Sequence, residues 1–270
     1  MNSTSTMTSF ECVGQFHEIF GHPKSTTLQT NIIVENSSLI HFRLDLIREE
    51  FNELVDAVND NDIIEVIDAI SDIEYVIHGM AHVMGINADA AFLDVHNENI
   101  TTLGKAIESK AMTNFERVGE FHVLIDHPTS SVFQKNIIKD NPSLIYFRID
   151  IIKERFNDLI DAVNCNDISK IPFAIGKMLH AVYGMAHVIG YNADVAFAIV
   201  HASNMSKLCK TEDIAKETIE HYKTLEGFEK VTVDYRLASD NQHYVVFNAD
   251  TGKILKSKYF TLPDFSSMIN

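Results

Sequence analysis

No run of eighteen apolar residues occurs in this chain, so a membrane-spanning helix is not expected. The opening Met1-Asn2-Ser3-Thr4-Ser5-Thr6 lacks the basic and apolar regions of a secretory signal, and a soluble cytoplasmic protein is the expectation. Cysteine is scarce. Cys12, Cys165 and Cys209 match neither a disulfide framework nor a zinc spacing, and they read as reduced thiols. Glycine is also sparse: Gly14, Gly21, Gly79 and Gly85 stand alone, which excludes a phosphate-binding loop of the GxxxxGK type. Basic residues are outnumbered 22 to 38 by acidic ones, for a net charge of −16. That balance excludes sequence-independent binding to a nucleic-acid polymer, which needs a basic surface. It leaves room for a small polyanionic substrate, because a divalent cation inverts the local field.

The chain instead contains a great deal of itself. Phe16-His17, His22-Pro23, Asn31-Ile32-Ile33, Asp56-Ala57-Val58-Asn59 and Gly79-Met80-Ala81-His82-Val83 all recur 105 residues later, as between His22 and His127 or Gly79 and Gly184. Roughly half the aligned positions are identical, the signature of a duplicated domain rather than a short solenoid repeat. With 46% hydrophobic residues the chain can bury a sizeable core.

Each copy reads as helical. Leu39, Phe42, Leu46, Ile47, Phe51, Leu54 and Val58 fall at three- and four-residue spacings and predict one apolar stripe on a long helix. Asp62 is placed to cap a second helix running to about Val83, with Gly85 as its stop. Asn87-Ala88-Asp89 starts a third, ending near Asn99. In the second copy Pro172 is expected in the first turn of its helix. From about Phe228 the pattern changes. His243–Phe247, a turn over Asn248–Gly252, and Lys253–Leu255 predict a β-hairpin. The expected divisions are residues 1–113, 114–225 and a tail at 226–270.

The chemistry-bearing feature lies in the first copy. Glu49, Glu50 and Glu53 share a face of the long helix, and Glu65, Asp68 and Asp72 share a face of the next. Like charges so close repel unless a cation lies between them, and hard oxygen ligands suit Mg²⁺ or Mn²⁺. The competing reading is a solvated acidic face. The second copy weighs against it: Glu50, Glu53, Glu65, Asp68 and Asp72 align with Arg155, Asp158, Lys170, Phe173 and Lys177. Loss of a metal from one copy accounts for these changes together.

Glu49-Glu50-Phe51-Asn52-Glu53 has the EExxE form of the all-α nucleoside triphosphate pyrophosphohydrolases, and the Glu65–Tyr75 stretch resembles their second acidic motif. That second stretch departs from the strict pattern at Ala69 and copies the Asp-Ala-x-x-Asp version of phosphoribosyl-ATP-pyrophosphohydrolase-like proteins, which leaves the role of Glu65 against Asp68 open. Val200–Leu208 and Thr251–Lys256 are similar to the same subfamily. The resemblance implies an all-α fold, two tandem MazG-like modules packed as a pseudo-dimer with the short β-hairpin appended. It implies metal-dependent hydrolysis of a nucleoside triphosphate, with a dNTP such as dUTP as the expected substrate, to monophosphate and pyrophosphate. Glu49 and Glu50 are then the catalytic candidates, Glu50, Glu53, Glu65, Asp68 and Asp72 the Mg²⁺ (or Mn²⁺) ligands, and Asn204, Lys207, Lys253 and Lys256 the substrate contacts. At the position of Lys207 the first copy has Thr102, so one copy keeps the acids and the other the lysine.

The recurring histidines His17, His22, His78, His82 and His96 lack a zinc spacing and are expected to make interhelical hydrogen bonds. Tyr75 is expected in the core, with base stacking as the alternative. A non-catalytic nucleotide-binding or sensor protein keeping the fold is the main rival, and an assembly protein whose acidic face pairs with Arg155, Lys170 and Lys177 is another. Neither a membrane nor a nucleic-acid polymer is an expected partner. Further homodimerisation of the fused chain is left open.

Overall fold

The computed structural model describes residues 7–105 and 111–269. The Met1–Thr6 stretch read above for targeting signals lies outside them. The first copy folds as α1 (Ser9–Phe20), α2 (Ile32–Glu35), α3 (Ser37–Asp60), α4 (Ile63–Met84) and α5 (Ala88–Thr102). The second follows in the same order as α6 (Asn114–Leu124), α7 (Ile137–Asp140), α8 (Pro142–Asn164), α9 (Ile171–Ile189) and α10 (Ala193–Met205). Then come α11 (Glu212–Tyr222), β1 (Val233–Leu237) and β2 (Tyr244–Asn248). No described helix is long and apolar enough to cross a membrane.

The helix ends follow the local signals. Asp62 accepts from the backbone N–H groups of Ile64 and Glu65, and Gly85 takes the left-handed conformation that releases the chain from α4. Asn87 caps α5, which runs three residues past Asn99. Pro172 lies in the first turn of α9, where its missing N–H costs no helical bond.

The buried stripe of α3 is shifted from the expected one. It runs Ile40, Leu44, Ile47, Phe51, Leu54 and Val58, whereas Phe42 is 54% exposed. Apolar residues occupy more than one face of this helix, so spacing alone admitted two phases; packing against α4 selects this one.

The two copies exchange their last helices. Helix α5 packs against α9, and α10 packs against α4, while α4 and α9 meet at the centre. The α5–α9 approach is close: a Cβ on Gly176 would lie 2.4 Å from the carbonyl oxygen of Ala91. One continuous core therefore draws on both copies, from Ile47 and Ile73 to Ile152 and Val182.

The expected pairing of 243–247 with 253–255 is present in part, and the strand has a second, longer partner that was not expected. Strand β2 pairs antiparallel with β1, Val233 opposite Asn248 and Leu237 opposite Tyr244. The Asn248–Gly252 turn forms, and across it Phe247 and Ile254 make the expected antiparallel bridge, flanked by the Asn248 N–H donating to the Lys253 carbonyl at 2.8 Å and the Leu255 N–H to the Val246 carbonyl at 2.9 Å. Leu255, paired in this way, also buries its side chain in a small second core with Cys209, Ala215, Tyr222 and Val246.

Candidate functional site

Helices α3 and α4 are antiparallel neighbours, and their packing brings the two acidic faces together. The electrostatics show how tightly. Burial, followed by Asp72, Glu53, Glu49 and Asp68, pushes the Glu50 carboxyl up to about 8. Burial and then Asp68 raise Asp72 to about 7, against the pull of Lys207. Asp68 is raised to about 6 by burial, Glu65 and Glu53, against Lys256. Glu53 is raised too, by burial and by Glu49 and Glu65, with a hydrogen bond to Glu50 acting the other way. Glu49 and Glu65 are exposed at the rim.

Lysines reach this cluster from the second copy. The exchanged helix α10 ends at Met205, which puts Lys207 within electrostatic reach of both Asp72 and Glu50. Lys207 is part-buried, and its Nζ donates to Asn204 Oδ1 at 2.6 Å. Burial lowers its pKa, as do Lys256 and Lys253, while the acids oppose the shift. Lys253 and Lys256 come from the tail beyond β2 and are exposed, and the Nζ of Lys256 also lies 4.6 Å from the centre of the Phe260 ring. Lys258 points elsewhere and pairs with Glu217 at 3.3 Å. The hairpin is anchored on the same side: Arg236 donates to the carbonyl of Phe20 at 2.7 Å, and the Ser239 N–H to that of Ile19.

The donor set suits a hard divalent cation. Asp68 Oδ1 is buried with no hydrogen-bond partner, and such an oxygen beside other carboxylates is what a cation would satisfy. The side chains as they stand do not close on a point: among the described residues no three His, Cys, Asp or Glu groups converge to ligand distance. Glu50, Glu53, Asp68 and Asp72 are the residues that could hold a metal, with Glu65 at the edge.

In the second copy the corresponding face is neutralised internally. Arg155 Nη1 and Lys177 Nζ lie 3.1 and 3.8 Å from the same Asp158 oxygen, and Arg155 also pairs with Glu154. Lys170 turns away to Asp167. These cations therefore pair within their own copy rather than with the first copy's acids, as the assembly reading required.

Of the recurring histidines His82 makes the expected interhelical bond, whereas both ring nitrogens of His78 and Nδ1 of His96 are buried without a hydrogen-bond partner and His17 bonds the loop that follows its own helix. His82 Nε2 bonds the Phe10 carbonyl oxygen at 2.7 Å and ties α4 to α1; His187 repeats this with Phe115. His17 Nδ1 bonds the Pro23 carbonyl oxygen at 2.8 Å. Tyr75 is buried, stacks on Phe197 and lies 3.2 Å from His201 Nδ1, so it bridges α4 and α10 in the core.

Several residues near the site gave no clear sequence signal. Arg43 is buried where α3 passes Gly79 of α4, its pKa lowered by burial to about 10 and its Nε unpartnered. Burial, followed by Arg43, Arg236 and Lys207, lowers the His22 imidazole to about 4. The signal available for Arg43 was its recurrence as Arg148 inside an otherwise apolar pattern.

A family model described as phosphoribosyl-ATP pyrophosphohydrolase matches residues 13–99, the copy that carries the acids. "Uncharacterized protein L479" of Acanthamoeba polyphaga mimivirus is 41% identical over 262 residues, 97% of this chain and 96% of that protein. No solved structure gives a significant match. On its acidic helix pair, its helical fold and these matches, the chain belongs to the phosphoribosyl-ATP pyrophosphohydrolase family, within the MazG-like nucleotide pyrophosphohydrolases.

Proposed function

We propose that the site hydrolyses a nucleoside triphosphate, a dNTP such as dUTP, to the monophosphate and pyrophosphate, and that it does so with Mg²⁺ or Mn²⁺. The observation that carries this reading is the part-buried cluster of carboxyls between α3 and α4, Glu50, Asp72 and Asp68, whose proton affinities are raised by burial and by one another. Groups perturbed in this way by burial and like charge are where catalysis concentrates. Glu50, Glu53, Asp68 and Asp72, with Glu65 at the rim, would hold the ion. Once bound, Mg²⁺ would neutralise the phosphate chain and polarise its oxygens.

The chain's own residues do the rest. Lys207, steadied by Asn204, presents a charge-assisted donor to the phosphates from the second copy. Lys253 and Lys256 extend that cationic edge. Water attacks the α-phosphorus, a new P–O bond forms, and the bond to the β-phosphate bridging oxygen breaks to release pyrophosphate. Glu50, or Glu49 beside it, takes the proton. Residues 1–113 and 114–225 then act as two modules of one fused pseudo-dimer with a single shared site, the tail at 226–270 closing it.

The test is pyrophosphate release across a panel of nucleotides, with Mg²⁺, with Mn²⁺ and with EDTA. Release from one or a few triphosphates, abolished by EDTA, supports the reading. No turnover of any nucleotide with either metal favours a nucleotide-binding protein that keeps the fold, a reading consistent with the unconverged carboxylates.

A further inference from the structure

The second copy has its own cleft where the first has the acidic site. It is about 320 Å³ and is built from the same positions: α6, α8 and α9 of the second copy and Val95 and Asn99 of the exchanged α5. Three charged residues line it, and all are cations: Arg148, Arg155 and Lys177. Their counterparts in the first copy are Arg43, Glu50 and Asp72. Two acids have thus become two cations at equivalent positions, in a protein whose net charge is −16.

The walls are short of acceptors. Arg148 is buried, with Nη2 donating to the Ala181 carbonyl at 2.9 Å and Nη1 lying 3.1 Å from His127 Nε2, but its Nε has no partner. His122 Nδ1 and His180 Nε2, in the same walls, are buried and unpartnered too. A buried donor without an acceptor is unfavourable, and an oxyanion supplies one to the Arg148 Nε–H and to either imidazole nitrogen that carries its ring's proton. Above them Arg155 and Lys177 share one carboxylate, Asp158, which does not line the cleft.

Phosphate chemistry completes the argument. In an acidic site, carboxylates reach a phosphate only through a divalent ion. Arg155 and Lys177 present positive charge directly, with an Arg fork suited to phosphate oxygens, and they need no metal. A site of that kind holds the anion without the means to hydrolyse it. The rings of Phe121 and Phe147 lie in the same cleft, and Phe147 is half exposed, so a base has an aromatic surface to meet.

We propose that this second cleft is a metal-independent binding site for a polyphosphate anion, either the phosphate chain of a nucleotide or free pyrophosphate. It is separate from the acidic site and independent of whether that site is catalytic.

The test is calorimetric titration of the full chain in EDTA, with inorganic pyrophosphate in one arm and a non-hydrolysable nucleoside triphosphate in the other. One site per chain is expected. Binding in both arms means that the phosphate chain suffices; binding of the nucleotide alone means that the rings contribute. Arg155→Glu and Lys177→Glu should each weaken binding roughly tenfold or more. Asp158→Asn, which frees Lys177 and leaves Arg155 with Glu154 alone, should tighten it, a gain that a damaged fold does not produce. Lys207→Ala, at the other site, should leave it unchanged. The proposal is overturned by no saturable binding below about 1 mM in either arm. It is equally overturned if Arg155→Glu and Lys177→Glu bind as the parent does, if Asp158→Asn fails to tighten binding, or if Lys207→Ala abolishes it. A protein inactive in every hydrolysis assay can still pass this test, so the two readings fail separately.

Discussion

Tyr183 donates its hydroxyl to Glu74 Oε1 at 2.8 Å, in the fully buried contact between α9 and α4. Tyr183 is the second copy's counterpart of His78, and His78 Nε2 lies 3.6 Å from the same Glu74 oxygen. One acid thus sits between two positions related by the duplication. Tyr183→Phe leaves that carboxylate with the longer contact only and should destabilise the protein by about 1–3 kcal/mol. Leu179 stands at the position equivalent to Glu74, so Glu74→Leu combined with Tyr183→Phe should cost less than the sum of the single changes. Chemical denaturation of the four proteins measures this; simple additivity would show that the bond does not couple the copies.

Glu50→Gln and Asp72→Asn should each lower hydrolysis by roughly 100-fold or more, because each removes a ligand or base. Metal-free stability should hold or rise, since each also relieves repulsion inside the cluster. Activity assays paired with thermal melts in EDTA decide this. Full activity in either variant would remove that residue from the site.

Much of this site was legible in the sequence, because helical spacing alone puts Glu50 with Glu53 and Asp68 with Asp72 on common faces, and because caps such as Asp62 and Asn87 act locally. The exchange of α5 and α10 was not legible. It depends on which helices pack across a copy boundary, and nothing in the spacing of Phe92 or Phe197 names the partner surface. The second partner of β2, strand β1, was missed for a related reason. The Asn248–Gly252 turn signals the pairing with 253–255 locally, whereas β1 joins β2 through the loop at 238–243, which contains no glycine to mark it as a turn. Phe42 misled because α3 carries apolar residues on more than one face.

The acids also set a pH dependence. Folded, Glu50 keeps its proton to about pH 8, Asp72 to about 7 and Asp68 to about 6, while ordinary carboxyls release theirs near 4. Their contribution is present in full below the ordinary values and is lost as pH rises through the folded ones. The buried histidines act in the opposite sense. His17, His122 and His180 are lowered to about 3, 2 and 3, chiefly by burial, so their stability is present above 6.5 and is lost as pH falls. Between about pH 6.5 and 8 the acids therefore act without opposition from these histidines. The metal-free melting temperature should fall across that window, and both Mg²⁺ and Glu50→Gln should flatten the fall. A melting temperature that is flat in EDTA and unmoved by Mg²⁺ would contradict the metal assignment.

The second copy should hold no divalent metal of its own. Arg155 and Lys177 stand where ligands would be and are already paired with Asp158. Crystals soaked in Mn²⁺ should give anomalous peaks beside Glu50 and Asp72 and none beside Lys177. Peaks of equal height at both places would end the one-site description.

The last expectation concerns division of labour between the copies. Helix α4 carries Asp68 and Asp72, and two of the surfaces packed against it, α9 and α10, belong to the second copy. Removing residues 114–270 would expose Tyr75, which stacks on Phe197, and Glu74, which receives the Tyr183 hydroxyl. It would also remove Lys207. Lys207→Ala alone should reduce kcat/KM by roughly tenfold to over a hundredfold, about one to three kcal/mol, if its contact with the phosphates is largely desolvated. Residues 1–113 expressed alone lose that contact and a large part of their core, so they should fold poorly and release no pyrophosphate. Mixing them with residues 114–270 should restore activity, because α10 and the tail can then dock on α4. Lys207→Ala in the second fragment should restore it less, which separates a missing scaffold from a missing charge. A first fragment as active alone as the whole chain would show that the site belongs to one copy and that the exchange of helices serves stability only.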